Sequence, residues 1–263
     1  MNEAYVDIHC HILPGIDDGA RDWDDALAMA RLAVEDGTST IIATPHQLGS
    51  WNQNRGDDIR RLTAELNERL QAEQIPLTVL PGGEARFEAE LVERIASGDV
   101  LTLGDRHRHV LVELPHELYL PLDSLLKSLV SRRISVILAH PERNQGILRQ
   151  PELLGTVVDA GCLAQITAGS LCGTLGSELQ QMSEWMVREG LVHIVATDAH
   201  GPRTRRPLLG RAYEKLCEIA DEQTAQDLCY RIPARIAAGH TVTTGRRSVP
   251  RRRTGWFSRR EAA

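Results

Sequence analysis

The strongest constraint on how this chain can fold is a pattern repeated along its length. Short runs rich in β-branched residues and leucine, YVDIHCH, TIIATPH, LTVLPGGE, HVLVELP, SVILAHPERN, LAQITAGS and VHIVATDAH, alternate with amphipathic stretches such as DDALAMARLAVEDG, DDIRRLTAELNERLQAEQ and SELQQMSEWMVREG. Apolar runs of that length bounded by turn residues are strands, and the 3.6-residue periodicity between them is helical. Alternation of the two builds βα units around a parallel sheet. Gly37, Gly161 and Gly190 fall where helices end, as C-terminal caps commonly do. The pattern predicts an α/β fold of seven strands, each followed by a helix. The length, 263 residues, suits one βα barrel.

The polar residues are placed more tellingly than the strands. Nearly every apolar run ends in a potential ligand or anion binder: His9 and His11, His46, Glu84, Glu113, His140 with Arg143, Thr167 with Ser170, and Asp198 with His200. The C-terminal strand ends of a βα barrel converge on one mouth, where such folds keep their active sites. Alternation along a strand puts His9 and His11 on one face and Cys10 on the other. One HxH pair is often just two buried polar histidines. Ligand-type residues at almost every strand end are a different matter, and they predict a metal centre. Imidazole with carboxylate suits Zn, Mn or Fe, and more ligands are present than one ion can use, so two or three ions sharing bridging carboxylates are expected. Clustered divalent ions are a common solution for phosphoester hydrolysis.

Composition narrows the classes. Five cysteines without a CxxC pair indicate neither a disulfide framework nor a thiolate zinc site. No apolar run reaches the ~20 residues needed to span a bilayer, and the N-terminus lacks a signal-peptide pattern, so a cytoplasmic protein is expected. The formal net charge of −6 hides an asymmetry: residues 246–263 carry seven arginines against Glu261, which leaves an acidic body over 1–245. An acidic body argues against nucleic acid, whose binding depends on phosphate neutralisation. The basic tail, RRSVPRRRTGWFSRREAA, reads as disordered, or as a contact for anionic lipid through its arginines, Trp256 and Phe257.

DIHCHILPGIDDGA, ATPH, PGGEARF, VELP, ILAHPERN, TAGSLCGTLG and ATDAHGPRTRRP, in this order over about residues 5–240, resemble the PHP (polymerase and histidinol phosphatase) superfamily. Within it the chain is similar to the bacterial tyrosine-protein phosphatases of capsular and exopolysaccharide operons. The resemblance implies a distorted seven-stranded (β/α)7 TIM-like barrel of the PHP type, with a trinuclear site usually active with manganese. It implies His9, His11, Asp18, His46, Glu84, Glu113, His140, Asp198 and His200 as metal ligands, with Asp17 shaping the turn beside Asp18. It places Arg143 and Arg206 on the phosphate, with Arg205 as the adjacent alternative for the second role. Gln47 and Trp51 depart from the usual histidine and tyrosine, which bears on substrate fit rather than on metal. The implied substrate is a phosphotyrosine protein, namely a membrane-associated tyrosine autokinase, which would bring the protein to the inner membrane surface; a homo-oligomer is left open.

Competing readings fare worse. The spacing CYRIPAR, Cys229 to Arg235, matches the C-x5-R loop of cysteine phosphatases, but it has no glycines to build a phosphate cradle and Pro233 removes an amide. Amidohydrolases also open on HxH, yet many bridge their metals with a carboxylated lysine at the fourth strand; here that strand ends in Glu113, and both lysines, Lys127 and Lys215, fall in helical segments. Histidinol phosphatase or another PHP phosphoesterase activity, or a mainly regulatory docking role on the kinase, remain as alternatives.

Overall fold

A computed structural model describes residues 4–249. Its strands are β1 (Tyr5–Cys10), β2 (Thr38–Ala43), β3 (His46–Gln47), β4 (Thr78–Pro81), β5 (Glu84–Arg86), β6 (His109–Glu113), β7 (Ser135–Ala139), β8 (Leu163–Thr167) and β9 (Ile194–Ala196). They pair in parallel in the orders β1-β2-β4 and β3-β5-β6-β7-β8-β9. Helices cover the strands, among them Trp23–Glu35, Gly56–Ala72, Asp123–Val130 and Ser177–Arg188.

Nine hydrogen-bonded segments are the seven expected strands, two of them broken by a shared kink. Ala43 pairs with Pro81 and His46 pairs with Glu84, so Thr44-Pro45 lies opposite Gly82-Gly83. Pro45 has no N–H to give to a ladder. A Cβ on Gly82 would sit 2.7 Å from Ile42 Cγ2, and one on Gly83 would sit 2.1 Å from Gln47 Oε1, so the bend is tight enough to require glycine at both positions. This kink turns His46 and Glu84 toward the mouth. At the other edge, an isolated parallel bridge between Cys10 and Ala199, with Asp198 N–H donating to the His9 carbonyl and His11 N–H to that of Ala199 (both 2.8 Å), ties the end of β1 to the chain leaving β9.

The interior is packed by Val6, Ile8, Ile42, Leu111, Ile137, Leu163 and Ile194, and closed at one end by Leu103 and the helix Ile232–Ala237. A separate apolar layer holds the helices against the outer strand faces. Simple alternation fails in β1. Val6 and Ile8 belong to the interior, while Tyr5 stacks on Tyr230 outside. A register irregularity between Asp7 and Cys10 lets His9 follow Ile8 inward, and the Asp7 carboxylate accepts the displaced His9 N–H (3.2 Å) together with Thr197 N–H (3.0 Å). Cys10 faces away from the histidines, in the layer with Ile41 and Ala43, as alternation over residues 9–11 predicts.

The last described residues lie on the body. Arg246 donates to both oxygens of Asp159 (2.9 and 3.0 Å), Arg247 to Asp227 (2.6 Å), and Val249 packs on the apolar layer. The chain is therefore held to the body as far as Val249, past the boundary expected at residue 245; the rest of the basic tail, including Trp256 and Phe257, lies outside the described residues. No helix among the described residues is long and apolar enough to cross a membrane.

Under this segment, buried His193 donates from Nε2 to the Gly245 carbonyl (2.9 Å) while Nδ1 accepts from Ala164 N–H (3.1 Å). Burial pushes its pKa down to about 4, so protonation removes an acceptor the backbone needs. Because the unfolded chain takes up the proton near pH 6.5, stability is full above that pH and falls toward pH 4, by about 3 kcal/mol for a shift of this size. We expect His193→Gln to flatten that part of the urea-midpoint profile relative to the parent; an unchanged pH slope would refute the assignment.

Candidate metal centre

All nine residues named as ligands meet at the C-terminal strand ends. Four groups bring their N and O atoms within 4.8 Å of one another: His11, Asp18, His46 and His200; His9, His11 and Glu84; His9, His140 and Asp198; and His46, Glu84 and Glu113. The groups share members, so they describe one continuous cluster. Glu84 is its hub, 1% exposed, with Oε2 at 3.3 Å from His9 Nε2, 3.4 Å from His11 Nε2 and 3.0 Å from His46 Nδ1, and Oε1 at 2.8 Å from His140 Nε2. Asp18 Oδ1 bridges His46 Nε2 (3.3 Å) and His200 Nε2 (3.4 Å) at the more exposed side, and Glu113 lies 3.9 Å from His140.

These spacings test the fit to cations. Ligand atoms about 2.1 Å from one ion lie roughly 3.0–3.4 Å from one another in octahedral or tetrahedral geometry. The separations at Glu84, and the 3.2 Å between His9 Nε2 and His11 Nε2, are of that size. Buried Glu84 Oε2 has no hydrogen-bond partner although three imidazoles surround it. A carboxylate oxygen aimed among ring nitrogens without a hydrogen bond is what a shared cation satisfies. The donor set of imidazole and carboxylate without thiolate suits divalent ions.

Electrostatics point the same way. Burial alone would neutralise these groups, but the carboxylates outweigh it at the histidines: Asp18 and Glu84 raise His46 to about 10, and Asp17, Asp198 and Glu84 raise His11. Burial likewise opposes ionisation of Glu84 and Asp198, yet His9 and neighbouring imidazoles hold both well below the usual carboxylate range. The cluster demands positive charge, which protons or metal ions can supply.

Further residues orient the cluster. His11 Nδ1 contacts Asp17 Oδ2 (2.7 Å), and Asp17 also accepts from Gly19 and His46 N–H (both 3.0 Å). Asp17 thus shapes the turn, as expected, and also fixes the His11 ring, which the sequence reading missed. His9 Nδ1 contacts Gln165 Oε1 (2.8 Å). A glutamine in the middle of a fully buried strand, LAQIT, was the available signal. Such outer contacts leave Nε2 free to face a metal. His140 (φ +31°) and Asp198 (φ +51°) occupy left-handed backbone, a strain of about 1–3 kcal/mol each that surrounding structure sustains at functional sites.

The arginines sort differently from the expectation. Arg143 pairs with Asp198 Oδ2 from the turn after β7. Arg205 Nη2 reaches the same oxygen at 2.5 Å, whereas Arg206 is exposed. Of the two adjacent arginines expected for the second phosphate role, it is therefore Arg205, the alternative, that lies against the cluster, with left-handed backbone at φ +47°. Gln47 is structural: 1% exposed, it donates to the Asn54 and Asp99 carbonyls and accepts from Leu101 N–H. Cys229 is fully buried within a helical segment, and burial pushes its thiol pKa up, which suits no nucleophile.

Fold and site together define a class: a parallel βα protein whose strand ends bring imidazoles and carboxylates together as candidate metal ligands. The comparisons with known proteins are more specific. The family described as "Capsular polysaccharide synthesis, CpsB/CapC" matches residues 5–238, and the chain belongs to that family. It is 43% identical over 202 residues to tyrosine-protein phosphatase YwqE of Bacillus subtilis, covering 76% of this chain and 79% of YwqE. It is 23% identical over 237 residues to tyrosine-protein phosphatase CpsB of Streptococcus pneumoniae, 88% of this chain and 97% of CpsB. A solved chain from the crystal structures of those two proteins, described as metal-dependent tyrosine phosphatases, superposes with a TM-score of 0.88 at 36% identity, over 94% of this chain and 100% of that one. A lactonase from Listeria monocytogenes, 12% identical with a TM-score of 0.57 over 89% of this chain and 94% of its own, shares the fold alone.

Proposed function

We propose that this protein is a metal-dependent protein-tyrosine phosphatase. The observation that carries the reading is the Glu84-centred cluster, in which nine histidine and carboxylate side chains converge in the family of YwqE and CpsB. His9, His11, Asp18, His46, Glu84, Glu113, His140, Asp198 and His200 would hold two or three divalent ions, manganese first among them, with Fe, Zn or Co as substitutes. Bound there, such ions supply the charge that activates water and neutralises phosphoryl oxygens.

The chain's own groups do the rest. Arg143 and Arg205 present guanidinium donors to the phosphoryl oxygens, and Asp198 holds both by one oxygen while turning the other, Oδ1, to His9 at 3.3 Å. Asp17 and Gln165 fix the rings of His11 and His9, so the ligand lone pairs are oriented before substrate arrives. A phenolic leaving group, of pKa about 10, needs less protonation than an alkoxide.

The finer reading names the substrate as a phosphotyrosine-bearing segment of a membrane-associated tyrosine autokinase, met by a cytoplasmic protein at the inner membrane surface. The family's role in capsular polysaccharide synthesis and the arginine-rich tail support it. The deciding assay compares phosphotyrosine peptide, histidinol phosphate and oligonucleotide, with metal analysis. Turnover of the peptide, lost in chelator, restored by manganese and unaffected by thiol alkylation, is expected. Preference for histidinol phosphate, or undiminished turnover in chelator, would overturn the reading.

A further inference from the structure

Beside the metal cluster lies a cleft of about 210 Å³ lined by His46, Leu48, Trp51, Arg86 and Glu113 among others. Two of its walls, His46 and Glu113, belong to the cluster itself, so whatever enters the cleft lies beside the candidate ligands. That volume is enough to take an aromatic side chain. The Trp51 indole lies nearly parallel to the His46 ring, 15° apart with centroids separated by 6.2 Å, and it remains half-buried with a face available to the cleft.

The turn that carries Trp51 is built to hold it still. Leu48 is buried, Trp51 N–H closes the turn onto the Leu48 carbonyl at 2.9 Å, and Leu48 and Gly49 both take left-handed backbone (φ +71° and +54°). A Cβ on Gly49 would stand 2.7 Å from Arg86 Cδ, so glycine here lets the arginine stem lie against the turn and brace it. Arg86 itself sits 3.9 Å from Glu113, so an ion pair lines the cleft beside the indole. A rigid aromatic face beside a phosphoryl-transfer centre recognises a flat ring, because stacking costs little side-chain entropy and offers a large apolar area.

We propose that Trp51 is the aryl-recognition residue: it stacks on the phenyl ring of phosphotyrosine and sets the preference for aryl over aliphatic phosphate esters. This rests on the phosphatase reading above, but it makes a separate claim. Arginines and metal ions grip the phosphate of any ester alike, whereas Trp51 would act on the leaving group alone.

The test uses the metal-loaded full chain. Trp51→Ala should raise KM for a phosphotyrosine peptide at least tenfold with a smaller change in kcat, leave competitive inhibition by inorganic phosphate and glycerol phosphate within about twofold of the parent, and keep metal content unchanged; Trp51→Phe should return KM to within about threefold. An unchanged peptide KM would overturn the proposal. So would a parallel weakening of inorganic phosphate or a loss of metal, which would make Trp51 a mere packing support for His46. If the parent protein itself fails to turn over phosphotyrosine peptide, the phosphatase reading fails first, and the two failures are told apart by that control.

Discussion

Glu84→Gln is expected to lower kcat at least about a thousandfold, equivalent to about 4 kcal/mol of transition-state stabilisation. The substitution keeps the side chain's shape and removes only its charge. Yet Glu84 lies within 3.4 Å of four imidazoles, those of His9, His11, His46 and His140. It stands in two of the four ligand groups, and its amide replacement would turn an N–H donor or a weakly basic oxygen toward ions that need an anion. Metal content should fall by at least one ion per chain, read by elemental analysis beside a circular dichroism spectrum that confirms folding. Activity within tenfold of the parent with full metal content would remove Glu84 from the centre and the proposed mechanism with it.

The second large effect concerns the guanidiniums. Arg143→Ala and Arg205→Ala should each lower kcat/KM about a hundredfold, the usual cost of losing one preorganised donor to a developing anion, while Arg206→Ala stays within about twofold. The contrast follows from placement: Arg143 and Arg205 both reach Asp198 Oδ2, and Arg206 points to solvent. Steady-state kinetics on phosphotyrosine peptide for the three variants decides it. The reverse order of Arg205 and Arg206 would favour Arg206, the assignment made from the RRP motif.

That exchange of neighbours shows where sequence reading runs out. Motif position left two adjacent arginines, Arg205 and Arg206, open for the second phosphate role, and which of them lies against Asp198 accompanies a backbone angle, φ +47° at Arg205, that no side-chain pattern encodes. Gln47 and Trp51 make the same point. As departures from a family pattern they looked alike. In the fold, Gln47 is spent on three backbone hydrogen bonds and Trp51 opens on the cleft.

What the sequence determined by itself was the βα alternation, the seven strands and the strand-end ligand candidates, because hydrophobic period and strand-end polarity are local signals; Asp18 was named through the family resemblance. It also separated Cys10 from His9 and His11 by simple alternation. What only the tertiary structure decided was how those ends meet. The irregularity in β1 that brings His9 inward, the common kink at Thr44-Pro45 and Gly82-Gly83, and the hold of Asp17 on His11 and of Gln165 on His9 all arise from contacts between residues distant in the chain or from backbone geometry. The chemistry was written in residue types; the separations between the candidate ligands had to wait for packing to set them.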